Sequence, residues 1–207
     1  MGLKFTIDNC TLCLIYDAAL SRVIGTGFTF LKPEWVVTAR HVVVEDGAPR
    51  RSLMVTREQS FHAQVLFSDP AVDLAVLELS DRGACKVPLF PSHERFAGGQ
   101  GLICCGYAPS RSSPADGRYE LFVNSVPEYE REVRSRSDLE EELVIFKAPF
   151  AEGGHSGGPV FGEGGGVVGA IIELFQREGV EFARATSILP LLRHLTFGVT
   201  QRSRGDA

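Results

Sequence analysis

An all-β fold is what this sequence predicts, and three observations predict it. Twelve short runs rich in Val, Ile, Leu and Phe recur from end to end, separated by Gly, Pro, Asp and Ser. Such runs, four to eight residues long and bounded by turn formers, read as strands. Helix signals are scarce. A seam near 91–101, with Pro91, Gly98, Gly99 and Gly101, parts the strands into six and six. That division suits two similar lobes, and strands in such number argue for a sandwich or a pair of barrels.

In chain order the predicted strands are 11–16, 27–31, 35–38, 52–56, 63–67 and 75–79 before the seam. After it come 102–107, 120–126, 143–148, 159–161, 167–175 and 181–185. A single helical turn is expected at 41–45. The one longer helix falls at 187–195, where Thr186 or Ser187 supplies a capping oxygen and Pro190 is tolerated in the first turn. Two stretches read as surface loops. Residues 108–118 are rich in Ser, Pro and Asp, and 128–142 are dense in acids and arginines, as in a solvated loop or short helix. The domain expectation is a lobe over 1–95, a second over 96–186, and a helix and tail over 187–207.

The 207 residues suffice for one large domain or two small ones. Hydrophobic residues at 44% and charged residues at 23% match a soluble globular chain. A net charge of −5 gives no basic footprint for nucleic acid. The apolar run 167–174, broken by Gly169 and Glu173, is too short to cross a bilayer. Lys4, Asp8 and Asn9 interrupt any signal-peptide core, while Met1-Gly2-Leu3-Lys4-Phe5-Thr6 fits only the loose myristoylation pattern.

Cys10, Cys13, Cys85, Cys104 and Cys105 are odd in number, with two adjacent, unlike a disulfide framework. Cys10 and Cys13 lack a second ligand pair, and on a strand they face opposite ways. Buried free thiols in a reducing, cytoplasmic setting are expected, with no metal and no cofactor.

Chemistry concentrates in Gly153-Gly154-His155-Ser156-Gly157-Gly158-Pro159-Val160. Glycines on both sides of Ser156 let the backbone turn tightly and clear the approach to its hydroxyl. Such a turn can aim the N–H groups of Gly154 and Ser156 at one point, as an oxyanion hole requires. The plain alternative is a hairpin loop whose serine touches water. A serine needs a base to take its proton and a third group to orient that base. His41 follows the apolar run Trp35-Val36-Val37-Thr38-Ala39, a setting that His62, His93 and His194 lack. Asp73, wedged between Val72 and Leu74 at a strand entry, wants a hydrogen-bond partner. A core histidine and a turn-capping aspartate are the alternatives for these two.

Thr38-Ala39-Arg40-His41-Val42, Asp69-Pro70-Ala71-Val72-Asp73-Leu74-Ala75-Val76-Leu77 and Gly154-His155-Ser156-Gly157-Gly158-Pro159 together resemble the signature stretches of chymotrypsin-like serine proteases. The likeness is to the HtrA-type or bacterial trypsin-like branch, and it runs from about 25 to 195. It includes Gly25-Thr26-Gly27-Phe28 ahead of the histidine and 179–187 ahead of the last helix. The order His, Asp, Ser is that of the chymotrypsin fold.

The resemblance implies two six-stranded antiparallel β-barrels with a short C-terminal helix. It makes His41 the general base, Asp73 its orienting partner and Ser156 the nucleophile, with Gly154 and Ser156 N–H groups at the oxyanion. Phe150 would floor the specificity pocket and Ala170, Ile171 and Ile172 would form a wall. That apolar lining implies cleavage after Ala, Val or Leu, unless Glu173 reaches the pocket and favours Arg or Lys.

Departures from the family pattern are informative. His155 stands where secreted members carry an aspartate that pairs with a new N-terminus. Val42 and Glu152 replace their cysteines, and a PDZ domain after the last helix is not expected. The resemblance therefore implies an intracellular protease domain, free-standing or cut from a longer chain, acting on protein or peptide. Restraint is expected from the 152–155 loop or a regulatory partner, without nucleic acid or membrane. A catalytically silent binding module and an esterase-like hydrolase are the competing readings.

Overall fold

The computed structural model describes residues 11–56, 59–80, 88–92, 96, 100–109, 118–136, 139–148 and 154–202, with side chains at 134–141 and 196–202 excepted. Fifteen strands and two helices form among them. Strands β1 (Leu12–Asp17), β2 (Arg22–Phe30), β3 (Lys32–Ala39), β6 (Leu53–Thr56), β7 (Ser60–Asp69) and β8 (Leu74–Leu79) close a barrel in the order β1-β2-β3-β8-β7-β6. A helical turn, α1 (Arg40–Val43), and a two-stranded ribbon, β4 (Val44–Glu45) with β5 (Ala48–Pro49), interrupt it.

Strands β3, from Trp35 on, and β8 read as nearly unbroken apolar runs because both of their faces are buried. On β3, Val36 joins the barrel interior with Cys13, Ile15, Val55 and Leu77, while Val37 faces the other way. On β8, Ala75 and Leu77 point inward while Leu74 and Val76 join the outer cluster. That outer cluster also takes in Phe161, Val167, Ala170, Ile188, Leu191 and Leu195 from the second half. It is the apolar seam between the halves, and each large side chain buried there contributes about 1.5–3 kcal/mol.

The second half is a seven-stranded sheet in the order β10-β9-β13-β14-β15-β12-β11. Its members are β9 (Leu102–Pro109), β10 (Tyr119–Val126), β11 (Glu130–Arg136), β12 (Leu139–Lys147), β13 (Pro159–Phe161), β14 (Val167–Arg177) and β15 (Val180–Ser187). All twelve expected strands form, most of them longer than predicted and β2, β3 and β7 by the most. The sheet differs from the expected six strands because 128–142 is a hairpin rather than a loop or helix. There a charge is paired across the strands: Arg131 of β11 binds Glu142 of β12, which is otherwise buried. The first and last members of the sheet, β10 and β11, are consecutive in the chain, with only Pro127, Glu128 and Tyr129 between them.

The seam segment touches both halves, since Leu89 bridges Phe30 of the barrel and Pro91 bridges Val167 of the sheet. Helix α2 (Leu189–Arg202) runs further than the expected 187–195. Ser187 Oγ accepts the Leu189 N–H at 3.3 Å, as its capping role required, and Pro190 sits in the first turn. No helix among the described residues is long and apolar enough to cross a membrane.

Candidate active site

Strand pairing puts His41 beside Asp73. In the β3–β8 register Ala39 faces Leu74, so the chain leaving β3 and the chain entering β8 meet at one end of the barrel. Asp73 there takes a left-handed backbone, φ +53°, which Asp tolerates better than most residues. Its own carbonyl accepts the Arg40 N–H at 2.8 Å. One carboxylate oxygen accepts the His41 N–H at 2.9 Å, and the other lies 2.7 Å from His41 Nδ1. Asp73 is thus a turn cap and an imidazole partner at once. A proton on Nδ1 shared with the carboxylate leaves Nε2 as the basic nitrogen. The His41 side chain is 47% exposed, so it is not a core histidine.

Ser156 reaches this corner through bonds to β2. Its carbonyl accepts the Thr26 N–H at 2.9 Å. A Cβ on Gly25 would lie 3.0 Å from that carbonyl and 2.7 Å from Val42, so Gly25 is the thin spacer between the serine turn and the residue after His41. Gly157, at φ +88°, is pressed closer still: a Cβ there would meet Thr26 O and Thr38 Oγ1 at 2.2 Å and the Ala39 nitrogen at 2.9 Å. From the other side, Gly157 N–H donates to Ile171 O at 2.7 Å and Ile171 N–H to Gly158 O at 2.8 Å. Gly158 N–H closes the turn on His155 O at 2.9 Å. His155 is buried beneath it, tilted against Phe122 with ring centroids 5.7 Å apart.

The remaining expected site residues fare unequally. Ala170 is buried in the seam between the halves and Ile171 in the second core. Ile172, partly buried, packs against the seam and the barrel interior together. Glu173 is ion-paired with Arg184, whose guanidinium also lies 5.2 Å from the Phe175 ring. Phe150, Glu152 and Gly153 lie outside the described residues, as do Cys10 and Cys85. Sequence reasoning missed Thr26 and Thr38, whose hydroxyls bind this corner together. The only signal was their place in the Gly25-Thr26-Gly27-Phe28 and Thr38-Ala39-Arg40-His41 stretches.

Cys13, Cys104 and Cys105 are buried free thiols. Loss of water pushes Cys104 from 9.0 up to about 12 and pushes Cys105 up as well, so both keep their protons at neutral pH. Among the described residues no group of His, Cys, Asp or Glu is arranged to hold a metal.

Residues 25–169 match the family described as a trypsin-like peptidase domain. No curated protein matches the chain. Among solved structures, the Rv3671c protease of M. tuberculosis in its active form is 23% identical with a TM-score of 0.67, over 91% of this chain and 80% of that one. Its inactive form aligns as well, at a TM-score of 0.65. The MamO protease domain of Magnetospirillum magneticum is 17% identical with a TM-score of 0.66, over 90% of this chain and 96% of that one. The HtrA-type protease AlgW with tripeptide is 18% identical with a TM-score of 0.64, over 91% of this chain and 60% of that one. At such identities the likeness is one of fold.

Proposed function

The chain belongs to the trypsin-like peptidase family, a serine protease family, and from that premise we propose that it is an endopeptidase working through His41, Asp73 and Ser156. The observation that carries the reading is the two-point grip of Asp73 on His41, backbone and ring together. In this reading Ser156 Oγ attacks the scissile carbonyl as His41 Nε2 takes its proton, and the N–H groups of Gly154 and Ser156 receive the oxyanion. Collapse of the tetrahedral species breaks the C–N bond, and His41 returns the proton to the departing amine. Water, deprotonated by His41, then releases the acyl group from Ser156. Asp73 keeps the imidazole in one tautomer and steadies it when charged. A fluorophosphonate probe tests the assignment. Wild type should label on Ser156, and Ser156→Ala and His41→Ala should not. An unlabelled wild type that cleaves no peptide would leave a silent binding module.

Protein or peptide is the substrate class, supported by the tripeptide and decapeptide complexes of the HtrA-type neighbour. We keep the apolar preference for Ala, Val or Leu before the cut, with Phe150 as floor and Ile172 as the partly exposed member of the wall. The Arg184 partner of Glu173 supports it, because a paired carboxylate draws a basic side chain weakly. A positional-scanning peptide library decides, and dominant cleavage after Arg or Lys overturns it. Buried free thiols support a reducing, cytoplasmic setting. We further read the chain as lobes over 1–95 and 96–186 with a tail over 187–207. In the second lobe the two edge strands of the sheet, β10 and β11, are joined by only Pro127–Tyr129, which supports the reading of a second barrel. Control by the 152–155 loop or by a docked partner belongs to the same reading, and high activity of the purified chain on many unfolded proteins would refute it.

A further inference from the structure

We infer that Thr26 is a positioning residue: its buried hydroxyl holds the Gly154 carbonyl down on the barrel, and so keeps the serine turn open to an incoming substrate oxygen. The inference rests on the endopeptidase reading above.

Thr26 is fully buried and makes four hydrogen bonds to three separate pieces of the site. Its hydroxyl donates to Gly154 O at 2.6 Å and accepts the Tyr107 N–H of β9 at 2.9 Å. Its own N–H donates to Ser156 O, and its carbonyl accepts the Thr38 hydroxyl at 2.7 Å, three residues before His41. Strand topology makes this possible. The last β2–β3 pair towards the site is Phe28 with Val37, so at Thr26 the strand edge has left β3 and is open to the serine turn.

A hydroxyl has one proton to give, and here it goes to Gly154. Gly154 has φ +119° and no side chain to hinder rotation, so its carbonyl stays put only while something holds it. Without the hydroxyl, Gly154 O and Tyr107 N–H would both lose this buried partner, and that loss is relieved by turning the Gly154 peptide. A carbonyl swung towards the site sets an acceptor where the oxyanion needs donors. Thr26 therefore acts on the transition state more than on substrate binding, a distinction that inter-lobe cement alone would not produce.

The test uses the whole purified chain as wild type, Thr26→Val, Thr26→Ala and Thr26→Ser. It reads kcat and KM on a fluorogenic peptide, the rate of fluorophosphonate labelling of Ser156, and the melting temperature. The Val and Ala variants should lose about ten- to a hundred-fold in kcat, with KM within about threefold of wild type. Labelling should slow in parallel, and Thr26→Ser should return kcat to within about threefold of wild type. Wild-type kcat in folded Thr26→Val overturns the positioning role alone. So does failure of both Val and Ala variants to fold while Ser folds, since the hydroxyl is then purely structural. A wild type that neither labels nor cleaves overturns the endopeptidase reading, and this inference with it.

Discussion

The two sides of the candidate site are held by different physics. His41 and Asp73 stand at the ends of neighbouring strands of a closed barrel, where Ala39 opposite Leu74 fixes their spacing to within one pleat. Ser156 stands in a turn with no strand of its own, kept in place by single hydrogen bonds to Thr26 and by Gly157 and Gly158 against Ile171. A register is a cooperative constraint shared by a whole ladder, and a slip would turn every buried side chain outward. A turn hung on separate bonds can be released one bond at a time.

The largest effects should come from removing chemistry on either side. Ser156→Ala or His41→Ala should each lower peptide hydrolysis by about three orders of magnitude or more, with the melting temperature within a few degrees of wild type. Asp73→Asn should be comparably severe in turnover because it favours the wrong imidazole tautomer. Near-normal turnover in any of the three removes that residue from the mechanism.

The next contrast is between two glycines of similar backbone. Gly157→Ala combines φ +88° with a Cβ 2.2 Å from two oxygens. It should cost about 2–5 kcal/mol of unfolding free energy along with most of the activity. Gly47→Ala has φ +80° but nothing within 4 Å, and should cost about 1 kcal/mol with turnover intact. Equal losses in urea titration would mean that backbone strain, not the tight seat of the serine turn, dominates at both.

The smallest effect is a pH dependence in the second sheet. Cys104, raised from 9.0 to about 12, keeps its proton when folded where the unfolded chain has lost it. The folded state then binds more protons across that window. Stability is intact below pH 9.0 and declines as pH rises towards about 12, by up to about 1.4 kcal/mol per pH unit for one thiol. Cys104→Ala should flatten the decline measured by denaturant titration between pH 8 and 10. At pH 8, peptide mapping after iodoacetamide should find Cys104 and Cys105 unmodified in the folded chain. Rapid alkylation of either would show that the sheet opens there.

Strands with two buried faces were legible in the sequence, since 35–38 and 74–79 leave almost no polar position to confuse them. The strand at 130–136 was not. Its alternating Glu and Arg look solvated until β12 supplies opposite charges across the ladder. His41, Asp73 and Ser156 could be picked out because each sits in a short local pattern of distinctive residues. Thr26 could not, because a threonine in a strand is ordinary and its partners Tyr107 and Gly154 lie 81 and 128 residues away.

What the sequence determined by itself is where most strands lie, though not where they end, and which side chains are candidates for chemistry, because side-chain alternation and turn residues act over a few neighbours. The tertiary structure decided which of those side chains meet and which carbonyls are held. Backbone groups look alike in sequence, so their partners emerge only when the barrel and the sheet pack face to face, with Phe28, Phe161 and Ala170 in one apolar seam.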